Sequence, residues 1–169
     1  MEREEFWRLV ESMGPQPDDD GFDRLTAELA TLSVPDIQAF EDHLAALLHG
    51  LDTHAHARAA RARGDWFLYV RCAVVVSGRA AYEEVLADPH KLRRFARREA
   101  EPLLFVASHA YERSTGLPWR HESPVSYESG SNLTGWSGDD TSGRLPLWLR
   151  MIIAITRPLR RSTQPPGHD

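Results

Sequence analysis

The stretch Gly64–Leu92, GDWFLYVRCAVVVSGRAAYEEVLADPHKL, decides how this chain is read. Trp66, Phe67, Tyr69, Val70, Cys72, Ala73 and Val74–Val76 make its first half apolar nearly all round a helical wheel. That is the mark of a central, buried helix. Asp65 stands where an N-cap belongs. The run Val74–Val76 is β-branched and is a strand signal within it. Ser77–Gly78 breaks the helix, and a further helix over Arg79–Ala87 is stopped by Asp88–Pro89. Two guanidinium groups, Arg71 and Arg79, lie inside this apolar stretch. Eight residues apart, they would share one face if a single helix ran through both. A buried guanidinium has to be satisfied, either from within the fold or by a ligand.

Outward from this centre the pattern stays helical. Phe6, Leu9, Val10 and Met13 recur at helical spacing in a helix over Glu2–Met13, with Glu2, Glu4 and Glu5 at its positive end. Gln16–Asp20 reads as a polar loop. Phe22, Leu25, Leu29 and Leu32 stripe a second helix over Gly21–Leu32. Ser33 is an N-cap with Pro35 in the first turn, and the third helix runs to about Gly50. So short a connection makes an antiparallel hairpin. Asp52–Gly64 is rich in Ala, Arg and His but has no large apolar side chain. It is expected to be an exposed helical extension or a mobile connection. Beyond Pro89, helices are expected over His90–Glu101 and Pro102–Thr115, with Gly116 as the C-terminal cap.

From Leu117 glycines and prolines punctuate a segment with little periodicity. We expect a long loop lying on the helices, held by Trp119, Tyr127 and Trp136. Leu145–Thr156 turns apolar again and suits a short closing helix or strand. Arg157–Asp169, rich in Pro and Arg, reads as a disordered tail. The expected architecture is an all-α, single-domain bundle of about seven helices over residues 1–156, with a long loop packed over it.

Bulk properties narrow the setting. The chain has 169 residues, 41% hydrophobic and 27% charged, with a net charge of −5. Charge is uneven: −10 over residues 1–52, +6 over 53–98 and −1 over 99–169. One cysteine, Cys72, excludes an internal disulfide and favours a reducing, cytoplasmic setting. The acidic start, MEREEFWRLVESM, is unlike a signal peptide. No apolar run reaches the roughly 18 residues that would span a bilayer.

The order of motifs resembles a bacterial family, domain of unknown function 4240. The family pattern opens with an FW pair, here Phe6–Trp7, followed by a helical hairpin, here 22–51. An aromatic-rich helix ending in GR follows (Trp66 to Arg79), then a Y…LADP run (Tyr82 to Pro89) and an LLFVA…AYE..TG helix (Leu103 to Gly116). The resemblance spans roughly residues 5–136. The connection THAHARAARAR and the ending Leu147–Ile155 depart from it. The resemblance implies a mostly helical single domain and no particular reaction.

Candidate sites come from the residues themselves. Arg71 and Arg79 with Tyr82, Glu128, Asn132 and Trp136 would make an anion pocket, since paired guanidiniums clamp carboxylates and phosphates. The competing reading pairs the arginines internally with Glu83, Glu112 or Glu128, and it is favoured. The loop SYESGSNLTGW (Ser126–Trp136) is either a binding loop or local turn chemistry, with Ser and Asn satisfying their own backbone. His109 with Glu112, three residues apart, would serve as acid and base. The eight histidines show no zinc spacing, so neither a metal nor a cofactor is expected. Arg93, Arg94, Arg97 and Arg98 form a basic patch with no recognisable nucleic-acid module around it.

The function expected from these features is a non-enzymatic interaction or regulatory module. Its partner would be another protein, or a second copy in a homodimer. The alternative is a binder of an anionic small molecule, or a small enzyme, using the Arg/Glu/Asn pocket. A third reading is nucleic-acid contact through Arg93–Arg98.

Overall fold

The computed structural model describes residues 1–137, and within them the chain is helical without a strand. The helices are α1 (Arg3–Ser12), α2 (Asp19–Leu29), α3 (Val34–Gly50), α4 (His54–Ala60), α5 (Gly64–Val76), α6 (Arg79–Ala87), α7 (Val106–Thr115) and α8 (Leu133–Ser137). Two 3₁₀ segments, Pro89–Phe95 and Glu101–Phe105, lie between α6 and α7. The all-α bundle expected from the sequence is what forms. The expected closing element Leu145–Thr156 and the tail 157–169 lie outside the described residues.

The central helix is α5. Phe67, Val70, Arg71, Cys72, Val74 and Val75 are each fully enclosed. The β-branched run stays helical because packing on every side outweighs its modest local preference. Around it, Phe6 packs on Phe40 at 4.8 Å and Trp7 meets Tyr82 at 5.7 Å, so α1, α3 and α6 share one core.

The chain breaks at Gly78, where φ is +93°, a conformation that glycine alone adopts freely. The Glu11 carboxylate of α1 then accepts from the Arg79 backbone N–H at 2.9 Å. An acid from another helix therefore caps the positive end of α6.

Caps place several boundaries. Ser33 caps α3 by accepting from the Asp36 N–H, as expected from the sequence. Asp18 caps α2 by accepting from Gly21 N at 3.0 Å, so that helix starts two residues before the expected Gly21.

Two expectations need correction. Residues 52–64 are neither an exposed extension nor a mobile connection. Thr53 caps α4, and Ala57, Ala60 and Ala62 are buried as α4 packs along the 3₁₀ segment Pro89–Phe95. Alanine serves here because its small side chain permits close approach, and burial needs no large apolar group. The expected helix over His90–Glu101 is instead 3₁₀ followed by irregular chain. Its buried residues, Leu92 and Phe95, are three apart, the spacing at which side chains eclipse in a 3₁₀ helix.

Tyr82 is fully buried and donates to the Leu47 carbonyl at 3.1 Å. A Cβ at Gly50 would lie 2.9 Å from its hydroxyl oxygen. Gly50→Ala is therefore expected to cost about 1–3 kcal/mol by overpacking. In a Tyr82→Phe background that oxygen is gone and the alanine should be accommodated. A double-mutant cycle by urea denaturation should show the cost of Gly50→Ala shrinking once Tyr82→Phe is present. Equal costs with and without Tyr82→Phe would contradict this packing.

From Trp119 the chain runs extended along the body. Trp119, His121, Ser123, Val125, Tyr127 and Ser129 are half-buried, and the residues between them are exposed. This is the two-residue alternation of extended chain laid on a surface. The segment expected to show little periodicity thus has a period of two, carried by mixed polar and apolar side chains. Trp119, Tyr127 and Trp136 do pack against the core.

Candidate functional site

The polar centre of the molecule lies where this arm crosses the end of α3 and the side of α5. Asp52, directly after α3, is fully buried. Its carboxylate accepts from Gly130 N at 3.0 Å, Asn132 N at 3.0 Å and the Trp136 indole Nε1 at 2.9 Å. Asn132 donates from Nδ2 to the His49 carbonyl and accepts at Oδ1 from Gly135 N, both at 3.0 Å. Gly135 has to be glycine: a Cβ there would sit 2.8 Å from the Asp52 carbonyl oxygen and from Thr53 Cγ2.

Arg71 is the cationic half of the centre. It donates to the Leu48 carbonyl at 2.8 Å, the Tyr127 carbonyl at 2.9 Å and Ser129 Oγ at 3.0 Å. Its Nε is buried and has no partner among the described residues. The guanidinium also lies 4.7 Å over the Phe67 ring. Ser129 Oγ passes its own hydrogen to the Gly64 carbonyl at 2.8 Å. Burial pulls the Arg71 pKa down, and the nearby Asp52 charge opposes that. Arg71 is thus bound from within, by carbonyls and a hydroxyl rather than by the carboxylates expected of it.

The loop Ser126–Trp136 forms the turn chemistry expected of it. Ser126 Oγ accepts from Glu128 N, and Ser131 Oγ donates to the Ser126 carbonyl. Those turns also present three donors to Asp52, so the loop is a clip between arm and body.

The other candidate residues do not join this centre. Arg79 begins α6, since the Ser77–Gly78 break turns it away from Arg71. It sits near the surface with Glu83 at 2.7 Å and Glu4 at 3.8 Å. Tyr82 is committed to Leu47, and Glu128 is exposed, with no ion pair among the described residues. His109 is exposed and stacks on Phe105 at 5.9 Å; Glu112 is exposed and makes no ion pair among the described residues. In the basic patch, Arg94 pairs with Glu84 at 2.9 Å, Arg98 donates to the Pro15 carbonyl at 2.8 Å, and both guanidiniums flank Phe95. Cys72 is enclosed, and burial pushes its thiol up to about 12. Among the described residues no group of three or more His, Cys, Asp or Glu is arranged to hold a metal ion. No described helix is long and apolar enough to cross a membrane.

Sequence reasoning missed Asp52, His56 and Glu41. Asp52 had a signal, because a carboxylate just past a helix C-terminus opposes the macrodipole unless something else holds it. His56 is buried on α4. Its Nε2 bonds the Val85 carbonyl at 3.1 Å, so Nε2 carries the hydrogen and Nδ1 accepts from the Thr53 hydroxyl at 2.7 Å. Burial pulls His56 down to about 4. Glu41 is buried under the arm, and burial pushes it up to about 7, partly offset by His121 and reinforced by Asp42.

These two groups act in opposite directions on stability. Between pH 4 and 6.5 the unfolded state protonates His56 and the folded state does not, so stability rises with pH. Between pH 4.5 and 7 the folded state holds a proton on Glu41 that the unfolded state has lost, so stability falls with pH. Each contributes up to roughly 3 kcal/mol, and they largely cancel in the overlapping window. From pH 4.5 to 6.5, Glu41→Gln should therefore unmask a rise in stability and His56→Gln a fall. Denaturant midpoints across that range check this, and parallel profiles for both variants and the parent would contradict it.

No curated protein and no solved structure matches the chain. A family model described as protein of unknown function (DUF4240) matches residues 1–113. That is the body up to the last turn of α7, shorter than the span 5–136 over which the motifs are read. On that match, the chain belongs to the DUF4240 family.

Proposed function

We propose that this protein is a non-catalytic interaction module that presents the outer face of α7 to another protein. One observation carries the reading. The inner face of α7, Val106, Ala107 and Ala110, is buried against α2 and α3, whereas large apolar groups stand in solvent just before its first residue and just after its cap. Phe105 is 46% exposed and Leu117 58%. Between them stand His109 and Glu112, outward and without ion pairs among the described residues. Phe105 is an exposed aromatic, a residue type enriched where proteins meet. The groups that could have carried a reaction, Arg71 and Asn132, hold the chain's own arm instead.

The test compares the parent with Phe105→Glu combined with Leu117→Asp. Both positions are exposed, so melting temperature should be unchanged. Crosslinking in lysate followed by mass spectrometry should recover a reproducible partner for the parent and lose it for the variant. Recovery of the same proteins by both would overturn the reading. A dimer in light scattering that the variant dissolves would identify a second copy as the partner.

A further inference from the structure

The arm covers a second polar layer besides the Asp52–Arg71 centre. Glu41 of α3 is only 7% exposed, yet its carboxyl group makes no hydrogen bond or ion pair among the described residues. Asp42, the next residue of α3, lies with Oδ1 2.7 Å from Nε2 of His121 on the arm. Trp119 of the arm meets the His121 ring at 5.5 Å and Tyr111 of α7 at 5.3 Å. Ser123 turns its hydroxyl inward, where Oγ is buried without a partner. The far end of the arm is tied through Asp52 and Arg71. Its near end rests on one ionisable pair and covers an unpaired acid.

A buried carboxylate without donors is costly, whereas the neutral acid is much less so. With the arm down, Glu41 therefore holds its proton. Lifting the arm returns the group to water and lets the proton go. The His121–Asp42 contact works in the same sense, because it is an ion pair only while the imidazole is protonated. The other titratable groups on this layer do not oppose it. Cys72 faces it from α5 and Tyr127 from the arm, and burial pushes both up to about 12, so neither changes state near neutrality. His49 of α3 donates from Nδ1 to the Ser126 carbonyl at 2.8 Å, a bond that either charge state can make. From α7, Tyr111 reaches the layer through Trp119. Arg120 and Glu122, on either side of His121, are exposed.

We infer that the arm is a pH-gated strap, which closes on the helical body while Glu41 and His121 are protonated and loosens as both lose their protons. The sign follows from the two states of Glu41. The closed arm holds its proton up to about pH 7, and the open arm releases it near the ordinary 4.5. Opening should therefore be favoured by up to about tenfold for each pH unit between 4.5 and 7, and level off above that. Loosening frees Arg71 and Asp52, whose donors and acceptors the closed arm occupies. The strap is independent of the α7 face.

Native-state amide exchange of the full chain, at about pH 5 and about pH 7.5, tests the strap. Gly130 and Asn132 are the reporters, each rate taken against the unfolded-chain rate at the same pH. In the parent, protection at both should fall at least about tenfold from the lower pH to the higher. That fall should exceed any change at Val74 and Val75, which report the core. Both conditions lie above about 4, so His56 stays neutral in the folded protein. Glu41→Gln cannot ionise and should leave at most about a threefold fall, the part due to His121 and Asp42. Adding His121→Gln should make the protection flat. Glu41→Met, equally uncharged, gives a second variant in case glutamine disturbs the packing. The strap is overturned if protection at Gly130 and Asn132 in the parent is the same at both pH values, or falls only as much as at Val74 and Val75. It is equally overturned if Glu41→Gln and Glu41→Met lose protection as the parent does.

Discussion

Asp52→Ala is expected to destabilise the protein by about 3–5 kcal/mol and to release residues 126–137 from the helical body. The reason lies in the number and kind of its partners. One fully buried carboxylate collects two backbone N–H groups and an indole N–H from a segment some eighty residues away in sequence. Hydrogen bonds to a charged acceptor contribute about 1.5–3 kcal/mol each, and because the donors regain water once the segment detaches, the net cost stays below the sum of the three. The loss also leaves Arg71 as an uncompensated buried cation. Urea denaturation followed by tryptophan fluorescence checks the loss of stability, and amide exchange at Gly130 and Asn132 checks the release of the segment. A loss under about 1 kcal/mol would contradict the assignment.

Arg71→Met should cost about 2–4 kcal/mol. Methionine replaces much of the volume, so the loss reports hydrogen bonds rather than a cavity. The Leu48 carbonyl loses the guanidinium and keeps only the Leu51 N–H at 3.2 Å among the described residues, and the arm loses its ties through the Tyr127 carbonyl and Ser129 Oγ. Lysine should not rescue it, because a single ammonium cannot reach three acceptors spread across a planar fork. Combined with Asp52→Ala, the cost should fall short of the sum by about 1–3 kcal/mol, since each single change already forfeits the same docked segment. Strict additivity would mean that the two residues hold different things.

The helices were legible because their apolar stripes recur at helical spacing and Ser33, Gly78 and Gly116 mark their ends with local chemistry. Arg71 was also legible as a problem, a charge in the most apolar helix. Its solution was not, because the acceptors are mostly main-chain carbonyls that no side-chain pattern encodes. The α4 segment was misread for a related reason. Ala57, Ala60 and Ala62 carry no hydrophobic stripe, yet close approach to the 3₁₀ segment buries them. The alternation of the arm was hidden because its inward residues mix Trp, His, Ser, Val and Tyr, and hydropathy does not alternate where polar groups face inward to make bonds. Arg79 shares a face with Arg71 only if one helix runs through both, and the Ser77–Gly78 break, legible in the sequence, removes that condition.

Membership of the DUF4240 family rests on the body, whereas the polar centre joins that body to an arm beyond the matched residues. That division makes the docking of the arm the central claim. Native-state amide hydrogen exchange reads it most directly, at the N–H groups of Gly130 and Asn132. In the parent protein both should exchange at least about a hundredfold slower than in an unfolded chain. In Asp52→Ala both should exchange freely while Val74 and Val75 in α5 remain protected. Free exchange at Gly130 and Asn132 in the parent, or protection unchanged by the substitution, would contradict the account.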